Sequence, residues 1–220
     1  MTETEFGGFS PAALNFLDEL KANNSRDWFA ANKPTYENEI KKPAAACAVA
    51  LEDALTNLIG VKHIAKIYRV NRDIRFSKDK TPYNAHVHIS FAPEGAPASL
   101  PMWFFGLGTE KLSLGCGVFA FEKAELVAFR DRVAGTEGAG IEKMIDTLKA
   151  DGVRISDPDL KQVPRGYPKD HARADLLRHK GLAAWLDFED RDWILGPDMV
   201  SGCARQFERL LPIFMTLMMD

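Results

Sequence analysis

The sequence predicts an α+β fold: a single domain with one mainly antiparallel sheet and helices packed at the N-terminus, in the middle and at the C-terminus. Two observations lead to this class. Apolar residues recur at helical spacing before residue 60 and again after residue 122, whereas the stretch between them alternates with the two-residue period of strands. The strand candidates also follow one another without intervening helices, and such strands pair most simply as an antiparallel sheet.

Helix caps and apolar spacing predict the N-terminal helices. Ser10 followed by Pro11 is a favourable start, because serine accepts hydrogen bonds from free backbone N–H groups and proline suits the first helical position. Leucine spacing gives this helix a length of about 12 residues. Ser25 is placed to cap a second helix, and a long helix is predicted from Pro43 to about Ile59.

Four consecutive strands are predicted in the middle of the chain. In the first, residues 68–76, apolar side chains mostly alternate with charged or amide side chains. The other three strands span residues 86–91, 102–107 and 112–119. Residues 108–111 are predicted to form a hairpin loop between the last two strands.

Helical spacing returns in the second half of the chain. Helices are predicted over residues 122–134 and 141–149, with the glycine-rich stretch between them as a flexible loop. The segment 197–219 also has helical spacing, and Pro212 is expected to bend it. Because the sequence shows no internal repeat, low-complexity tract or linker, we expect one domain over residues 1–220.

Composition and charge argue against several classes of protein. The chain has 220 residues and a formal net charge of −3, so it has no overall electrostatic attraction to nucleic acids or membranes. Its acidic N-terminus lacks the layout of a signal peptide, and no apolar run approaches the roughly 18 residues that span a bilayer. The scattered cysteines Cys47, Cys116 and Cys203 argue against a disulfide framework or a thiolate zinc site. We therefore expect a cytoplasmic protein.

Positive charge is concentrated in two segments of this acidic chain. Residues 62–80 contain seven lysines or arginines and two aspartates, and residues 161–180 contain six and two. If the two segments meet in the folded protein, they create a local field that attracts anions despite the negative total.

The first basic segment places arginines on both faces of its predicted strand. Arg69, Asp73 and Arg75 share the polar face, where two guanidinium groups could hold a carboxylate or phosphate and the aspartate could orient an arginine. Arg72 lies among apolar neighbours and must be paired or face a ligand, because an unpaired buried charge is very costly. Alternatively, this pattern is a solvated face or a ladder of cross-strand ion pairs. Such ion pairs contribute little to the stability of the folded protein.

Four blocks of the sequence carry a resemblance to a known family. They are FGGFSPAALNFLDELKANNSRDWFAANKPTYE, RVNRDIRFSKDKTPYNAHV, LGCGVF and PRGYPKDHARADLLRHKG. In this order, and over nearly the whole chain, they resemble the domain-of-unknown-function family 2461 of bacteria and fungi. The resemblance implies a single-domain protein and brings no activity, substrate or cofactor with it. Its most distinctive blocks are the two basic segments, where the matching residues are Arg72, Asp73, Arg75, Phe76, Lys78, Asp79, Lys80, Pro82, Tyr83, Pro164, Gly166, Tyr167, Asp170, His171, Leu177 and Lys180.

We expect the two basic blocks to form the walls of a cleft that binds an anionic small molecule, bearing a phosphate or a carboxylate. The first block would supply positive charge and a tyrosine, and the second block would form the opposite wall. No cofactor is expected, membranes and nucleic acids are not expected as partners, and the sequence does not address the oligomeric state. The expected ligand-binding residues are Arg72, Asp73, Arg75, Lys78, Lys80, Tyr83, Tyr167, His171 and Lys180.

Two residue pairs raise the question of catalysis or metal binding. Asp170 and His171 could be half of a general acid–base pair, but we favour Asp170 as the cap of a helix that begins near Ala172. His86 and His88 lie two residues apart on one strand face, as in some metal sites, yet no carboxylate or cysteine pair is at diagnostic spacing. We therefore predict no metal site, and we leave open whether the protein is an enzyme.

Two other functions are compatible with the basic strand. A nucleic-acid-binding module is supported by Phe76 and Tyr83 as stacking residues, but the acidic total charge and the lack of a recognised motif argue against it. In a structural or partner-binding protein, the Arg/Asp block would instead be an internal network of ion pairs. The partners of each guanidinium group in the folded protein distinguish this network from a ligand site.

Overall fold

The computed structural model describes residues 6–97 and 100–218. The first five residues, on which the argument against a signal peptide rests, lie outside the described residues, as does Met219 at the end of the predicted C-terminal helix. In the described part of the chain, no helix combines the length and the apolar character that crossing a bilayer requires.

A six-stranded antiparallel sheet runs through the described residues, and together with the helices it confirms the predicted α+β class. Its strands are β1 His63–Ile67, β2 Val87–Pro93, β3 Met102–Leu107, β4 Leu112–Val118, β5 Arg154–Ile155 and β6 Leu182–Phe188. Their order in the sheet is β1-β2-β3-β4-β6-β5, so β1 and β5 are the edge strands. The register pairs Ile67 with Ile89 and Ile155 with Ala184.

Helices occupy the N-terminal part, the middle and the C-terminal part of the chain. A π-helical turn, Tyr36–Lys41, leads into the longest of the described helices, and a short 3-10 turn spans Asp192–Leu195. The α-helices are α1 Pro11–Ala22, α2 Arg26–Ala31, α3 Lys33–Thr35, α4 Lys42–Ile59, α5 Lys123–Ala134, α6 Gly138–Ala150, α7 Ala174–Leu177, α8 Met199–Arg209 and α9 Leu211–Leu217.

The predicted helix starts are confirmed where a local cap sets them. Ser10 Oγ accepts a hydrogen bond from the N–H of Ala13 at 3.1 Å, and Ser25 Oγ accepts one from Trp28 at 3.3 Å. Pro212 lies in the first turn of α9, and the segment that it was expected to bend is divided into two helices, α8 and α9.

The predicted flexible loop at residues 135–140 is wrong in its second half, because α6 already begins at Gly138. Two glycines in this first turn cost about 1 kcal/mol each in helix propensity. Burial of Ile141, Ile145 and Leu148 on the same helix offsets that cost.

Three of the four predicted strands are confirmed. β3 has the predicted bounds, and β2 and β4 differ from prediction by one or two residues at their ends. The hairpin between β3 and β4 closes through the N–H of Gly108, which donates to the carbonyl oxygen of Lys111 at 2.9 Å. The strand predicted over residues 68–76 is wrong, since β1 ends at Ile67.

Residues 68–86, which we call the ribbon, connect β1 to β2 as two extended stretches without a regular ladder. Asn71 and Tyr83 form an isolated bridge, and the N–H of Arg72 donates to the carbonyl oxygen of Pro82 at 2.9 Å. Because proline has no backbone N–H, Pro82 cannot donate the second hydrogen bond of this pair, and the ladder ends here. The alternation of polar and apolar residues, which predicted a strand, corresponds in the structure to an alternation of exposed and half-buried side chains over residues 69–75.

β1, β5 and β6 have no counterpart among the predicted strands, since the first predicted strand begins only after β1 has ended. β5 is only two residues long. In β6, consecutive residues Leu182, Ala183 and Ala184 are all buried. A strand buried on both faces carries no two-residue alternation, which is why the sequence pattern does not reveal it.

The described residues fall into two compact units. Unit 1 lies within Met1–Glu94, Phe104–Leu114 and Asp187–Gln206, and unit 2 lies within Gly95–Trp103, Gly115–Leu186 and Phe207–Asp220. Each unit has buried aromatic and aliphatic side chains of its own. In unit 1 these include Phe9, Leu17, Leu20, Leu51, Leu55, Ile89, Phe91 and Phe105, and in unit 2 Trp103, Phe129, Phe207 and Phe214. The assignment of residues 1–220 to one domain stays a prediction.

Candidate functional site

Unit 1 contains a cavity of about 750 Å³, which we call the main cavity. One wall comes from α1, α2, the π-helical turn and α4, and the other comes from the end of β1 and the base of the ribbon. This volume lies within the range found for small-molecule sites. The apolar part of the lining consists of Phe16, Leu17, Leu20, Phe29, Ala30, Ile40, Ala44, Ala45, Ile67, Val70 and Val87.

The main cavity arises where small side chains leave edge strand β1 uncovered. Along the first half of β1, α4 lies close enough for the Glu52 carboxylate to accept the backbone N–H of Ala65. Nearer the start of α4, the residues that face the cavity are Ala44 and Ala45. Their methyl groups are too short to fill the space beside Ile67, so a cavity remains.

Aromatic rings make up part of the cavity wall. The ring of Phe29 stacks on Tyr83 with centroids 4.1 Å apart, and it lies 5.1 Å from the ring of Tyr36. Tyr83 is also fixed through its backbone, because its N–H donates to the Asn24 side-chain oxygen at 3.1 Å. Tyr83, a predicted ligand-binding residue, therefore lines the main cavity as part of an ordered aromatic wall.

The π-helical turn brings polar groups to the same cavity. Tyr36, Glu37 and Lys41 all line it. Burial raises the pKa of the Tyr36 hydroxyl, so at neutral pH it is a protonated hydrogen-bond donor. π-helical turns are rare and frequently occur at functional sites. The sequence did not predict the π-helical turn, because a single turn is too short to produce a recognisable spacing of apolar residues.

A second cavity of about 400 Å³, which we call the polar cavity, lies at the base of the ribbon. Its lining consists of Tyr68, Arg69, Asn71, Arg72, Asp73, Asn84, His86 and His88. Five of these residues, Tyr68, Arg69, Asn71, Asn84 and His86, line the main cavity as well. The two ends of the ribbon, residues 68–71 and 84–86, thus present polar side chains to both cavities.

Arg72 is paired within the ribbon itself. Its Nη1 atom lies 2.5 Å from Asp79 Oδ2 and donates to both the carbonyl oxygen and the hydroxyl of Thr81. Hydrogen bonds from the backbone N–H of Thr81 and from the Arg72 guanidinium lower the pKa of Asp79 to about 2, so the partner is ionised at neutral pH. The arginine that the sequence placed among apolar neighbours is therefore paired.

The other two arginines of the ribbon differ in their partners. Arg75 donates to Asp73 at 2.6 Å, and this hydrogen bond lowers the pKa of the Asp73 carboxyl. The side chain of Arg69 makes no hydrogen bond or ion pair with any residue in the ranges 6–97 and 100–218. Arg69 was not among the predicted ligand residues, although one signal for it exists: two arginines share the polar face of the predicted strand with only one aspartate.

Two predicted lysines lie away from both cavities. Lys80 Nζ donates to the carbonyl oxygen of Ile74 at 2.9 Å and so stabilises the outer part of the ribbon. Lys78 is exposed and lines neither cavity. Beside them, Phe76 is 95% exposed. The outer half of the ribbon is thus a solvated turn whose charged groups mostly bind one another.

His86 and His88 lie next to each other at the polar cavity, with ring centroids 4.2 Å apart. Burial, aided by the nearby His88 and Arg72, lowers the pKa of His86 to about 4, so its ring is neutral at pH 7. The His88 ring lies over Gly106 of β3, where a Cβ atom would come within 3.1 Å of the ring. Within the described ranges, no group of three or more His, Cys, Asp or Glu residues is arranged to hold a metal ion.

The lowered pKa of His86 predicts how stability depends on pH. The unfolded chain takes up a proton near pH 6.5, whereas folded His86 does so only near pH 4, so stability falls as the pH is lowered through this window. We expect His86→Gln to reduce this loss by roughly 1–3 kcal/mol at the acid end, because solvent reaches part of the ring and screens its charge. Urea unfolding at several pH values measures it. A slope that His86→Gln leaves unchanged would contradict the prediction.

The second basic block lies in unit 2 and is also held by local contacts. The Tyr167 hydroxyl donates to Asp131 Oδ1 at 2.7 Å, and the backbone N–H of Lys180 donates to Asp159 Oδ2 at 2.6 Å. Tyr167, Asp170, His171 and Lys180 belong to unit 2, whereas the predicted ligand residues of the first block belong to unit 1. The cleft expected between the two blocks stays a prediction.

The predicted helix cap at Asp170 is wrong. α7 begins at Ala174, and no side chain caps its first turn. Instead, Nδ1 of His171 accepts the backbone N–H of Arg173 at 3.0 Å, so this ring atom is occupied in the turn. Because α7 has only four residues, it offers little dipole to stabilise an anion.

These features define an α+β protein with an apolar cavity beside the edge strand of an antiparallel sheet and polar, basic groups at the cavity wall. The family model described as conserved hypothetical protein (DUF2461) matches residues 12–215 of the chain. The protein belongs to this family, which confirms the resemblance seen in the sequence blocks. No curated protein matches the chain.

Proposed function

We propose that the protein binds a small organic anion, with the apolar part of the ligand in the main cavity and a phosphate or carboxylate group at Arg69. One observation carries the proposal. Arg69 lines both cavities of unit 1, and its guanidinium has no hydrogen-bond acceptor among the described residues. A guanidinium group binds carboxylates and phosphates through two parallel hydrogen bonds, which fixes the orientation of the ligand.

The charge around the main cavity supports an anionic ligand. Lys33, Lys41 and Arg69 line it together with a single acid, Glu37. Lys41 is paired with Glu37 at 2.8 Å, whereas neither Lys33 nor Arg69 forms an ion pair with a described residue. Arg69 lies close enough to Asp73 to help lower the pKa of that carboxyl, after the larger effect of Arg75. A local excess of positive charge raises the concentration of anions at the cavity even though the whole chain is acidic.

Uncharged polar groups add donors and acceptors beside Arg69. Asn71, Asn84 and His86 all face both cavities, and the neutral imidazole of His86 can donate and accept. A mostly apolar cavity with a few convergent polar groups is the usual form of a small-molecule site. The proposal covers binding and assigns no reaction.

The alternative functions account for the ribbon less completely. Stacking of nucleic acid was expected on Phe76 and Tyr83, but Tyr83 already stacks on Phe29. An internal ion-pair network explains Arg72 and Arg75, whose partners are aspartates of the same ribbon. The ion-pair network does not explain Arg69, whose guanidinium forms no hydrogen bond or ion pair with a described residue.

We further propose that the protein acts in the cytoplasm. Cys47, Cys116 and Cys203 are all buried free thiols, and burial raises the pKa of each of them. Buried thiols of this kind are inert packing residues, and three unpaired cysteines suit a reducing compartment.

Two fluorescent probes test the proposed site. Anilinonaphthalene sulfonate has an apolar aromatic body and one anionic group, and phenylnaphthylamine has the same rings without the charge. We expect saturable one-to-one binding of the anionic probe, weakened about 10-fold by Arg69→Gln, which corresponds to about 1.4 kcal/mol. The affinity for the neutral probe should change by less than about 2-fold, since it makes no charged hydrogen bond.

Matched variants locate the site and exclude general charge effects. Lys78→Gln removes a positive charge of the ribbon from an exposed side chain that lines neither cavity, and it should leave the affinity for both probes unchanged. Ala45→Trp places a large side chain at the main cavity and should weaken the binding of both probes. If Lys78→Gln weakens the binding of the anionic probe as much as Arg69→Gln does, the role given to Arg69 is wrong.

A further inference from the structure

Unit 2 contains a separate cavity of about 320 Å³, which we call the basic cavity. Three cationic side chains, Lys161, Lys169 and Arg178, line it together with one acid, Asp175. All four belong to the second basic segment of the sequence, which the site in unit 1 does not use. We infer that the basic cavity binds a phosphate group, either as the free ion or as part of a phosphorylated small molecule.

Arg178 is held in place but is not fully satisfied by the protein. Its Nη2 lies 2.5 Å from Asp175 Oδ1, and its Nη1 donates to the carbonyl oxygen of Lys161 over a long 3.4 Å. Its Nε is buried without an acceptor in the described part of the chain. A guanidinium has five N–H donors, so this one keeps donors for a further acceptor.

The two lysines add charge that the protein does not neutralise. Lys161 and Lys169 are exposed, and neither side chain has a hydrogen-bond or ion-pair partner within residues 6–97 and 100–218. With Arg178 and Asp175, the lining of the cavity has a net charge of +2. Phosphate groups carry a charge of about −1.5 to −2 at neutral pH, which matches this excess.

The number of cationic groups favours phosphate over carboxylate. A carboxylate has two oxygens in one plane, and the Arg178 guanidinium alone could occupy both. A phosphate group has three or four oxygens in a tetrahedral arrangement, so it can accept hydrogen bonds from Arg178 and both lysines together.

The backbone on two sides of the basic cavity is fixed. The N–H of Leu160, next to Lys161, donates to the carbonyl oxygen of Arg178 at 3.0 Å. This hydrogen bond ties the two chain segments that supply charge to each other, so less conformational entropy is lost when a ligand binds. The basic cavity shares no residue with the main cavity, and binding there does not depend on the site proposed in unit 1.

The test is a titration of the full chain with inorganic phosphate at constant ionic strength, with chloride as the reference anion. Nuclear magnetic resonance can follow the Nε–H signal of Arg178, which is visible because Nε is buried. We expect a saturable shift of this signal, and a loss of phosphate affinity of at least about 10-fold in Arg178→Gln, read from the backbone signals of the cavity. Glycerophosphate is titrated in parallel, and the tighter of the two ligands identifies the source of the phosphate group.

Two further variants keep the inference falsifiable if Arg178→Gln fails to fold. Asp175→Asn removes the carboxylate that competes for Arg178, so it should strengthen phosphate binding by about 3- to 10-fold, while Lys169→Gln should weaken it. Arg165→Gln, an exposed arginine of the same segment outside the cavity, should have no effect. Shifts that chloride reproduces, or a loss of affinity in Asp175→Asn, would overturn the inference. Neither result would bear on the probe experiments with Arg69→Gln.

Discussion

Trp103→Ala should lower the free energy of unfolding by about 3–5 kcal/mol, among the largest effects expected for a single substitution in this protein. Trp103 is fully buried in unit 2, at 0% exposure. Its ring stacks on Phe214 with centroids 4.9 Å apart and meets the ring of Phe207 edge-on at 5.4 Å. Removing it leaves a cavity that these rigid neighbours cannot fill, and it also removes both aromatic contacts. Urea unfolding followed by circular dichroism measures the change.

Two variants make the Trp103 prediction specific. The indole Nε1 is buried without an acceptor among the described residues, so Trp103→Phe loses ring volume but also removes an unsatisfied donor. It should therefore cost clearly less than Trp103→Ala. Phe76→Ala removes an aromatic residue that is 95% exposed, and it should change stability by less than about 0.5 kcal/mol. Equal losses for Trp103→Ala and Phe76→Ala would show that burial does not set the effect.

Gly117→Ala should destabilise the protein by roughly 2–5 kcal/mol, because it combines backbone strain with a steric clash. Gly117 has a φ of +145°, a conformation that residues with a Cβ rarely adopt. A Cβ atom there would lie 2.5 Å from the Cα of Ala183 in β6 and would overlap the carbonyl oxygen of Leu182. Since both obstacles are backbone atoms, they cannot move aside without shifting the strand. Thermal and urea unfolding measure the loss.

Gly140→Ala is the matched control for Gly117→Ala, with the opposite expected sign. Gly140 lies in α6, and a Cβ atom there would meet nothing within 4 Å. Alanine has the higher helix propensity, so the variant should be more stable by about 0.5–1 kcal/mol. If both substitutions shift stability in the same direction, the close approach of β6 to Gly117 is not what makes glycine necessary.

The LGCGVF block, most of which lies in β4, shows how much structural information a sequence motif contains. The sequence supports only the general statement that its glycines allow close backbone approach or a bulge. The structure shows which contact each glycine makes: at Gly115 a Cβ atom would come within 2.6 Å of the Trp185 ring, and at Gly117 the obstacle is the β6 backbone. These contacts join residues about 70 positions apart, so no local pattern can reveal them.

The candidate sites also combine features that the sequence predicts with features that depend on contacts between distant residues. Counting charges is enough to find the two basic segments, because net charge depends on composition alone. The pairing of Arg72 with Asp79 and of Arg75 with Asp73 depends on how the ribbon turns. The expected ligand residues therefore include these two paired arginines and leave out Arg69, although the strand pattern places Arg69 on the polar face with Arg75. The main cavity depends on the π-helical turn and on the short side chains of α4 opposite β1, a property of packing between distant segments.

The amino-acid sequence is sufficient to predict the class of fold, the helices capped by Ser10 and Ser25, the hairpin at residues 108–111 and the position of the two basic segments. Caps, periodicity and charge act over a few residues, so a short stretch of chain contains all the information they need. Three features arise only when the chain folds: β1 ends at Ile67, β6 forms a strand, and the side chain of Arg69 lines a cavity without a hydrogen-bond or ion-pair partner among the described residues. Each of these depends on which residues meet after the chain has folded.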